Sequence, residues 1–174
     1  MLKIRNAKIE DFEDINEVFY KTWLLTYPNK ELGILKEDVV EFMKDRNSIE
    51  RFKLFSENLN NTSNNSKFYV AEFEGKVVGV CRIYNRENFG QLQAIYVLPE
   101  FQNKGIGKEF WKKSLEFFVK NKKIIVQVAT YNNQAIKFYE SLGFKDNSKR
   151  FTEERHRMPI SKVLIPEMEM EILN

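Results

Sequence analysis

Leu92 to Phe118 reads LQAIYVLPEFQNKGIGKEFWKKSLEFF: an apolar alternating run that stops at Pro99, a turn holding two glycines, then Ile106, Phe110, Trp111, Leu115 and Phe118 on one helical stripe. A strand that passes through a glycine turn directly into an amphipathic helix frees backbone N–H groups at the helix start, where the helix dipole adds positive charge. Such a turn suits an anion, above all a phosphate. Gly105 and Gly107 are read as the positions where a Cβ would restrict the turn or hold the anion away from the backbone, and Lys104 and Lys108 add charge beside them. Two phosphate motifs are excluded by spacing. A nucleotide P-loop needs glycine where Gln102 stands and Ser or Thr where Glu109 stands, and a dinucleotide fingerprint needs glycine at Phe110.

Upstream of the turn, FYVAEFE, a Gly75-Lys76 turn, VVGVCRIY, the polar NRENFG and QLQAIYVL predict three strands in an antiparallel meander. Leu2 to Arg5 predicts an opening strand. Asp11 is a fair N-cap for a helix reaching about Thr26, which Tyr27-Pro28-Asn29 stops. A helical region from Lys36 to about Leu59 breaks near Asn47-Ser48 into two shorter helices, and Asn60 to Ser66 reads as a polar loop. Downstream, a helix from Gly105 to Val119 precedes a strand, IIVQVAT, and a helix from Asn132 or Asn133 to Leu142 ended by Gly143. A weak strand after Phe144, a charged loop from Arg150 to Arg157 and the alternating EMEMEIL close the chain. Glu167, Glu169 and Glu171 are expected on a wet face, with Met168, Met170 and Ile172 packed.

Composition bounds the rest. The chain has 174 residues and is 43% apolar and 30% charged, values of a globular protein of one domain over residues 1–174. Its one cysteine, Cys81, cannot bridge within the chain and suits a reducing compartment, so a cytoplasmic location is expected. Neither a signal-peptide run nor an apolar stretch long enough to cross a membrane is visible. The net charge of +3 is small and scattered, which argues against a nucleic-acid partner.

Gln102-Asn103-Lys104-Gly105-Ile106-Gly107 fits Gln/Arg-x-x-Gly-x-Gly/Ala, follows a strand ending Ile95-Tyr96-Val97, and precedes NNQAIKFYESLGF at Asn132 to Phe144. Together these resemble the GCN5-related N-acetyltransferase (GNAT) family, well from Lys67 to Phe144 and loosely before. The resemblance implies a mixed, mostly antiparallel α/β sheet of six to seven strands flanked by helices, with a V between the strands holding Ile95 to Val97 and Ile124 to Thr130. It implies acetyl-CoA as co-substrate and no metal. The pantetheine arm would lie near Ile95, Tyr96 and Val97, and the pyrophosphate on the N–H groups of Gln102, Asn103, Lys104, Gly105, Ile106, Gly107 and Lys108. Asn132 would meet the pantetheine or act as a helix N-cap, and Tyr139 would stand near the thioester sulfur.

The implied reaction is acetyl transfer to a primary amine of a small molecule or peptide, which needs an acceptor for the amine proton. Gln91 and Gln93 stand where many family members carry an acid, and neither can accept a proton at neutral pH. Glu72 is the substitute base, with a solvated edge charge as the plainer role; His156 is a further candidate, and Cys81 reads as a small core residue. The missing acid also motivates the alternative of a catalytically silent CoA-binding sensor. The acceptor is expected to be chosen by Trp23 to Ile34 and Thr152 to Pro166, with Trp23, Tyr27 and Phe151 lining its cleft and Glu31, Glu153 and Glu154 attracting a cation. A homodimer through an edge strand at Glu167 to Leu173 is plausible.

Overall fold

The computed structural model describes residues 1–60, 65–118 and 123–173; most of the expected polar loop (61–64) and Val119 lie outside them. The strands are β1 (Leu2–Asn6), β2 (Ser66–Phe73), β3 (Lys76–Asn85), β4 (Gly90–Val97), β5 (Lys123–Ala129), β6 (Lys145–Phe151) and β7 (Glu167–Leu173). The helices are α1 (Phe12–Thr26), α2 (Lys36–Phe42), α3 (Ile49–Asn60), α4 (Ile106–Phe117) and α5 (Asn133–Ser141). The strands form one sheet in the order β1-β2-β3-β4-β5-β7-β6.

Each element follows from its apolar pattern. Ile15, Val18 and Thr22 bury one face of α1, and Ile106, Phe110, Trp111 and Ser114 one face of α4. Val77 to Cys81 are all buried, because β3 is covered on both sides. Cys81 lies 3.6 Å from Ser114 of α4, so its neighbour Arg82 faces away from α4. Gly143, at φ +97°, ends α5 as expected from its position.

The parallel pair β4–β5 positions the site. Its register holds only at Gly90↔Ile124, Gln91↔Ile125 and Leu92↔Val126. Beyond that point β4 stays with β3 as far as Val97↔Gly79, while β5 stays with β7 as far as Ala129↔Glu167. The departure has a local cause. Opposite Arg82 and Ile83 stand Ala94 and Leu92, so Gln93 is an extra, bulged residue, and a bulge bends its strand and increases its twist. The expected V therefore opens at Gln93.

Two expectations for β7 are corrected. β7 is not an edge strand, since β6 covers its outer side, and the free edges of the sheet are β1 and β6. Nor are its acids on a wet face: Glu167 and Glu169 are buried. The β6–β7 ladder is interrupted between Asp146 and Arg150, and there Asn147 bonds Glu169 (2.6 Å) and Glu171 (3.2 Å) while Lys149 pairs with Glu169 (2.8 Å). A partner strand with an amide and an ammonium replaces water around the carboxylates.

Candidate active site

Two clefts meet at the V. The first, about 640 Å³, is lined by β4 from Gln93 to Val97, by Gln102, Asn103 and Gly105 to Lys108, and by Asn132, Phe138 and Tyr139. The second, about 690 Å³, lies among α1, α3 and the exposed side of β2 to β4. Tyr27, Gln93, Ala94, Tyr96, Gln127 and Glu167 line both.

The glycine turn presents open donors to the first cleft. Gln102 N–H closes a 3-10 turn on Pro99, and Glu109 N–H bonds Gly105. Among the described residues no acceptor takes the N–H groups of Asn103, Lys104, Gly105, Ile106, Gly107 or Lys108. The turn is braced from behind by Gln102, whose Nε2 donates to Val97 O (2.9 Å) and whose Oε1 accepts from Gln134 (2.9 Å). The two glycines serve different ends. Gly105 is needed for its conformation, φ +82°, with open space around its missing Cβ. Gly107 meets a packing need, because a Cβ there would stand 2.8 Å from the Phe138 ring. Lys108 lines the cleft, whereas the Lys104 ammonium lies over the Phe101 ring, 5.0 Å from its centre, and Lys104 does not line it. Asn132 lines the cleft and caps α5, its Oδ1 accepting from Ala135 N (3.1 Å), so both of its expected roles are compatible.

Tyr139 is 6% exposed, packs on Phe138 and Phe144, and has no hydrogen-bond partner for its hydroxyl among the described residues. Burial, with smaller effects from Tyr96 and Cys81, pushes its phenol well above the ordinary value. Tyr27 and Tyr96 share a hydroxyl–hydroxyl bond of 2.8 Å, and Tyr131 donates to Tyr27 O (3.0 Å). Burial is the main cause that raises all three phenols; Tyr96 and then Glu167 add to it at Tyr27, Glu167 adds to it at Tyr131, and at Tyr96 it outweighs the opposing hydrogen bonds from Tyr27 and Trp23, so all three remain protonated donors.

Glu167 is the residue that sequence reasoning passed over. It is 7% exposed, lines both clefts, and accepts from His156 Nδ1 at 3.0 Å. Its alternation with apolar residues suggested a solvated position, and its partner is eleven residues upstream, across a loop that only the fold closes. Glu153, His156 and Glu167 also offer one ligand atom each within 4.8 Å of one another, a set able to hold a cation as well as to relay a proton.

Glu72 stands elsewhere. It pairs with Arg5 (2.6 Å), which also binds Asp11, and it lines neither cleft, so its charge is committed to joining β1 and β2. Gln91 accepts from Arg86 (3.0 Å), while Gln93 is the bulged residue between the clefts. Burial pushes the Cys81 thiol up to about 12, as suits a core position. The two expected acceptor regions do come together: Ile34, Met158 and Ile165 form a small core beside Ala129, and Asp38 accepts from Ile160 and Ser161 N–H, both at 2.8 Å. Trp23, Tyr27 and His156 line the second cleft, but Phe151, Glu31, Glu153 and Glu154 do not.

The profile of the Acetyltransferase (GNAT) family matches residues 32–144. The spermidine N(1)-acetyltransferase of Thermoplasma acidophilum is 30% identical over 149 residues, spanning 83% of this chain and 88% of that protein. The N-acetylaspartate synthetase of Xenopus tropicalis is 39% identical over 84 residues, which is 46% of this chain but 31% of its own length. Among solved structures, the PaiA N-acetyltransferase of Thermoplasma acidophilum in complex with coenzyme A overlays with a TM-score of 0.78 at 22% identity, over 100% of this chain and 99% of that one. The ribosomal-protein-S18-alanine N-acetyltransferase of Escherichia coli overlays with a TM-score of 0.67 at 16% identity, over 99% and 94% of the two chains.

Proposed function

The chain belongs to the GNAT family of N-acetyltransferases, and from that premise we propose that it moves the acetyl group of acetyl-CoA to a primary amine, residues 1–174 acting as one domain. The observation that carries this reading is the row of six open amide donors from Asn103 to Lys108, all but Lys104 on residues that line a cleft ending where β4 leaves β5. Those donors fit a diphosphate. The strand residues Ile95, Tyr96 and Val97, free of β5, fit a pantetheine arm. A buried single thiol agrees with a reducing, cytoplasmic setting.

Acetyl-CoA supplies the activated acyl group as a thioester. The amine enters from the second cleft. At pH 7 an alkylamine of ordinary pKa is neutral in about one molecule in 2,500, so a proton must be taken up. Glu167, buried at the junction and held by His156, takes it directly or through water. The amine nitrogen then bonds to the acyl carbon, the carbon–sulfur bond breaks with its electron pair left on sulfur, and the second proton that the acylated nitrogen sheds passes through water to that sulfur, which leaves as the thiol. Tyr139 offers the sulfur a hydrogen bond. Full proton transfer from an ordinary phenol to an ordinary thiolate is already uphill by roughly 2 kcal/mol, and burial of Tyr139 adds to that. Its role is donation of a hydrogen bond. A carboxylate contributed by β7 also removes the motive for a silent sensor, which rested on the glutamines of β4.

Calorimetric titration with acetyl-CoA and release of free thiol in the presence of amines test the reading together. Tyr139→Phe is expected to lower kcat by about 10–100-fold while leaving the acetyl-CoA Kd within about twofold. Unchanged turnover removes Tyr139 from the mechanism, and absence of acetyl-CoA binding by the unaltered protein removes the whole assignment.

A further inference from the structure

We propose that the acceptor carries an anionic group, a carboxylate a few bonds from its amine, and that Arg82 with its cationic neighbours in the second cleft binds that group. This rests on the acetyl-transfer reading and names its acceptor class: an amino acid or the N-terminal residue of a short acidic peptide, rather than a polyamine.

The charge lining the cleft is one-sided. Arg46, Arg51, Arg82 and Arg155 line it, against the single carboxylate of Glu167; Lys67 lines it too, but its ammonium lies over the Phe117 ring of α4, 5.9 Å from the centre. Their commitments differ. Arg155 pairs with Glu153, and Arg46 has a long contact of 3.8 Å to Glu17. Among the described residues no carboxylate lies within 4.0 Å of Arg51, Lys67 or Arg82. Arg82 is instead held by flat rings, its guanidinium carbon 5.1 Å from the Tyr84 centroid and 5.7 Å from Phe68. That arrangement fixes the plane of the fork and leaves its donors free for a carboxylate.

An unmet donor points the same way. Arg46 Nε is buried without a hydrogen-bond partner, and Arg46 lines this cleft. It is an N–H group, so the missing partner is an acceptor. A polyamine brings further donors and positive charge; a carboxylate brings acceptors and negative charge.

Register adds distance. Arg82 stands opposite Ala94, the first residue past the Gln93 bulge, and is therefore one strand away from the point where the clefts meet. A carboxylate on Arg82 leaves the attached amine beside that junction, where Glu167, on β7 and two strands beyond β4, also lines the cleft. The aromatic side chains of Phe12, Phe19, Trp23 and Phe55 provide apolar walls for the rest of the acceptor.

The test measures thiol release at fixed acetyl-CoA with free amino acids, short acidic peptides, the carboxamide of each, and spermidine. Each carboxylate form is expected to exceed its carboxamide and spermidine by about tenfold or more in kcat/KM, the worth of one charge-assisted bond. The gap should shrink with added salt. Free amino acids and peptides separate the two sources of the same chemistry. Arg82→Gln should raise KM for the carboxylate form and close most of the gap; Arg82→Lys should restore part of it, and Arg51→Gln should act in the same direction. Acetyl-CoA affinity measured by calorimetry confirms that each variant is folded. Spermidine or a carboxamide turned over as well as the carboxylates, or a gap untouched in all three variants, overturns this inference and leaves acetyl transfer standing. Intact acetyl-CoA binding with no turnover of any amine overturns the transfer reading and this inference with it.

Discussion

At the scale of single residues, the decisive feature is a carboxylate that arrives from the far end of the chain. Glu167 lies on β7, opposite Ala129, the last paired residue of β5, and is held by His156. Glu167→Gln keeps the shape and removes the proton acceptor, so kcat should fall on the order of 100-fold with acetyl-CoA affinity unchanged. His156 acts through Glu167 and is a positioning residue. His156→Gln should lower kcat less and displace the pH–rate profile, while the melting temperature holds. A purely structural role for His156 would move the melting temperature and leave the profile in place. Because Glu153 completes a possible cation set with these two, a chelator decides between the roles. Activity that survives chelation supports proton transfer, and activity lost to a chelator and restored by a divalent ion assigns the cluster to metal.

At the scale of elements, the docking of α4 against α5 depends on one missing methyl group. Gly107→Ala would place its Cβ 2.8 Å from the Phe138 ring, so α4 and α5 must part or the ring must turn. The expected cost is about 1–3 kcal/mol of stability, with weaker acetyl-CoA binding because the amide row runs from the turn into the first residues of α4. Phe138→Leu in the same chain should recover much of both losses, as calorimetry and thermal melting would show. Weak binding that persists despite restored stability would instead give Gly107 a direct role at the ligand. How much was legible follows the same division. Local patterns in Lys67 to Phe118 and Asn132 to Phe144 revealed the meander, the anion turn and the capped helix, because strand alternation, helical stripe and glycine position are written within a few residues. The bulge at Gln93 was not legible, since it is a mismatch between two strands. Nor was the covering of β7 by β6, which turned an apparently wet glutamate row into a buried Glu169 paired with Lys149 and a buried Glu167 that is the candidate base. Glu72 failed as a base for a comparable reason: its partner, Arg5, is 67 residues away.

At the scale of the whole molecule, buried ionisable groups bound the pH range in which the fold holds the site together. Asp38 is 0% exposed and accepts N–H bonds from Leu35, Ile160 and Ser161 at 2.8–2.9 Å. Burial works to raise its pKa, and these bonds outweigh burial and hold it below the ordinary carboxylate value. A depressed carboxylate contributes stability that is present above the unfolded value near 4 and is lost as pH falls through the folded value. Asp11, beside Arg5, acts with the same sign. The alkaline side is opposite. Burial pushes Cys81 and Tyr69 up to about 12, and it raises Tyr27, Tyr96 and Tyr139 as well. Their contribution is complete below the unfolded values, about 8.5 for thiol and 10 for phenol, and drains away as pH rises toward the folded ones. Denaturant melts from pH 2 to 11 should therefore give a plateau with two falling limbs. Asp38→Asn should flatten the acid limb and leave the alkaline limb alone. Asp38→Ala, which leaves buried N–H groups without an acceptor, should cost about 1–3 kcal/mol on the plateau itself. The loss reaches the reaction, because the bonds from Asp38 tether the segment that follows His156. In Asp38→Ala, turnover should therefore fall under conditions where the protein is still folded and still binds acetyl-CoA. Turnover that tracks the folded fraction alone would show that the tether sets stability and not the position of His156.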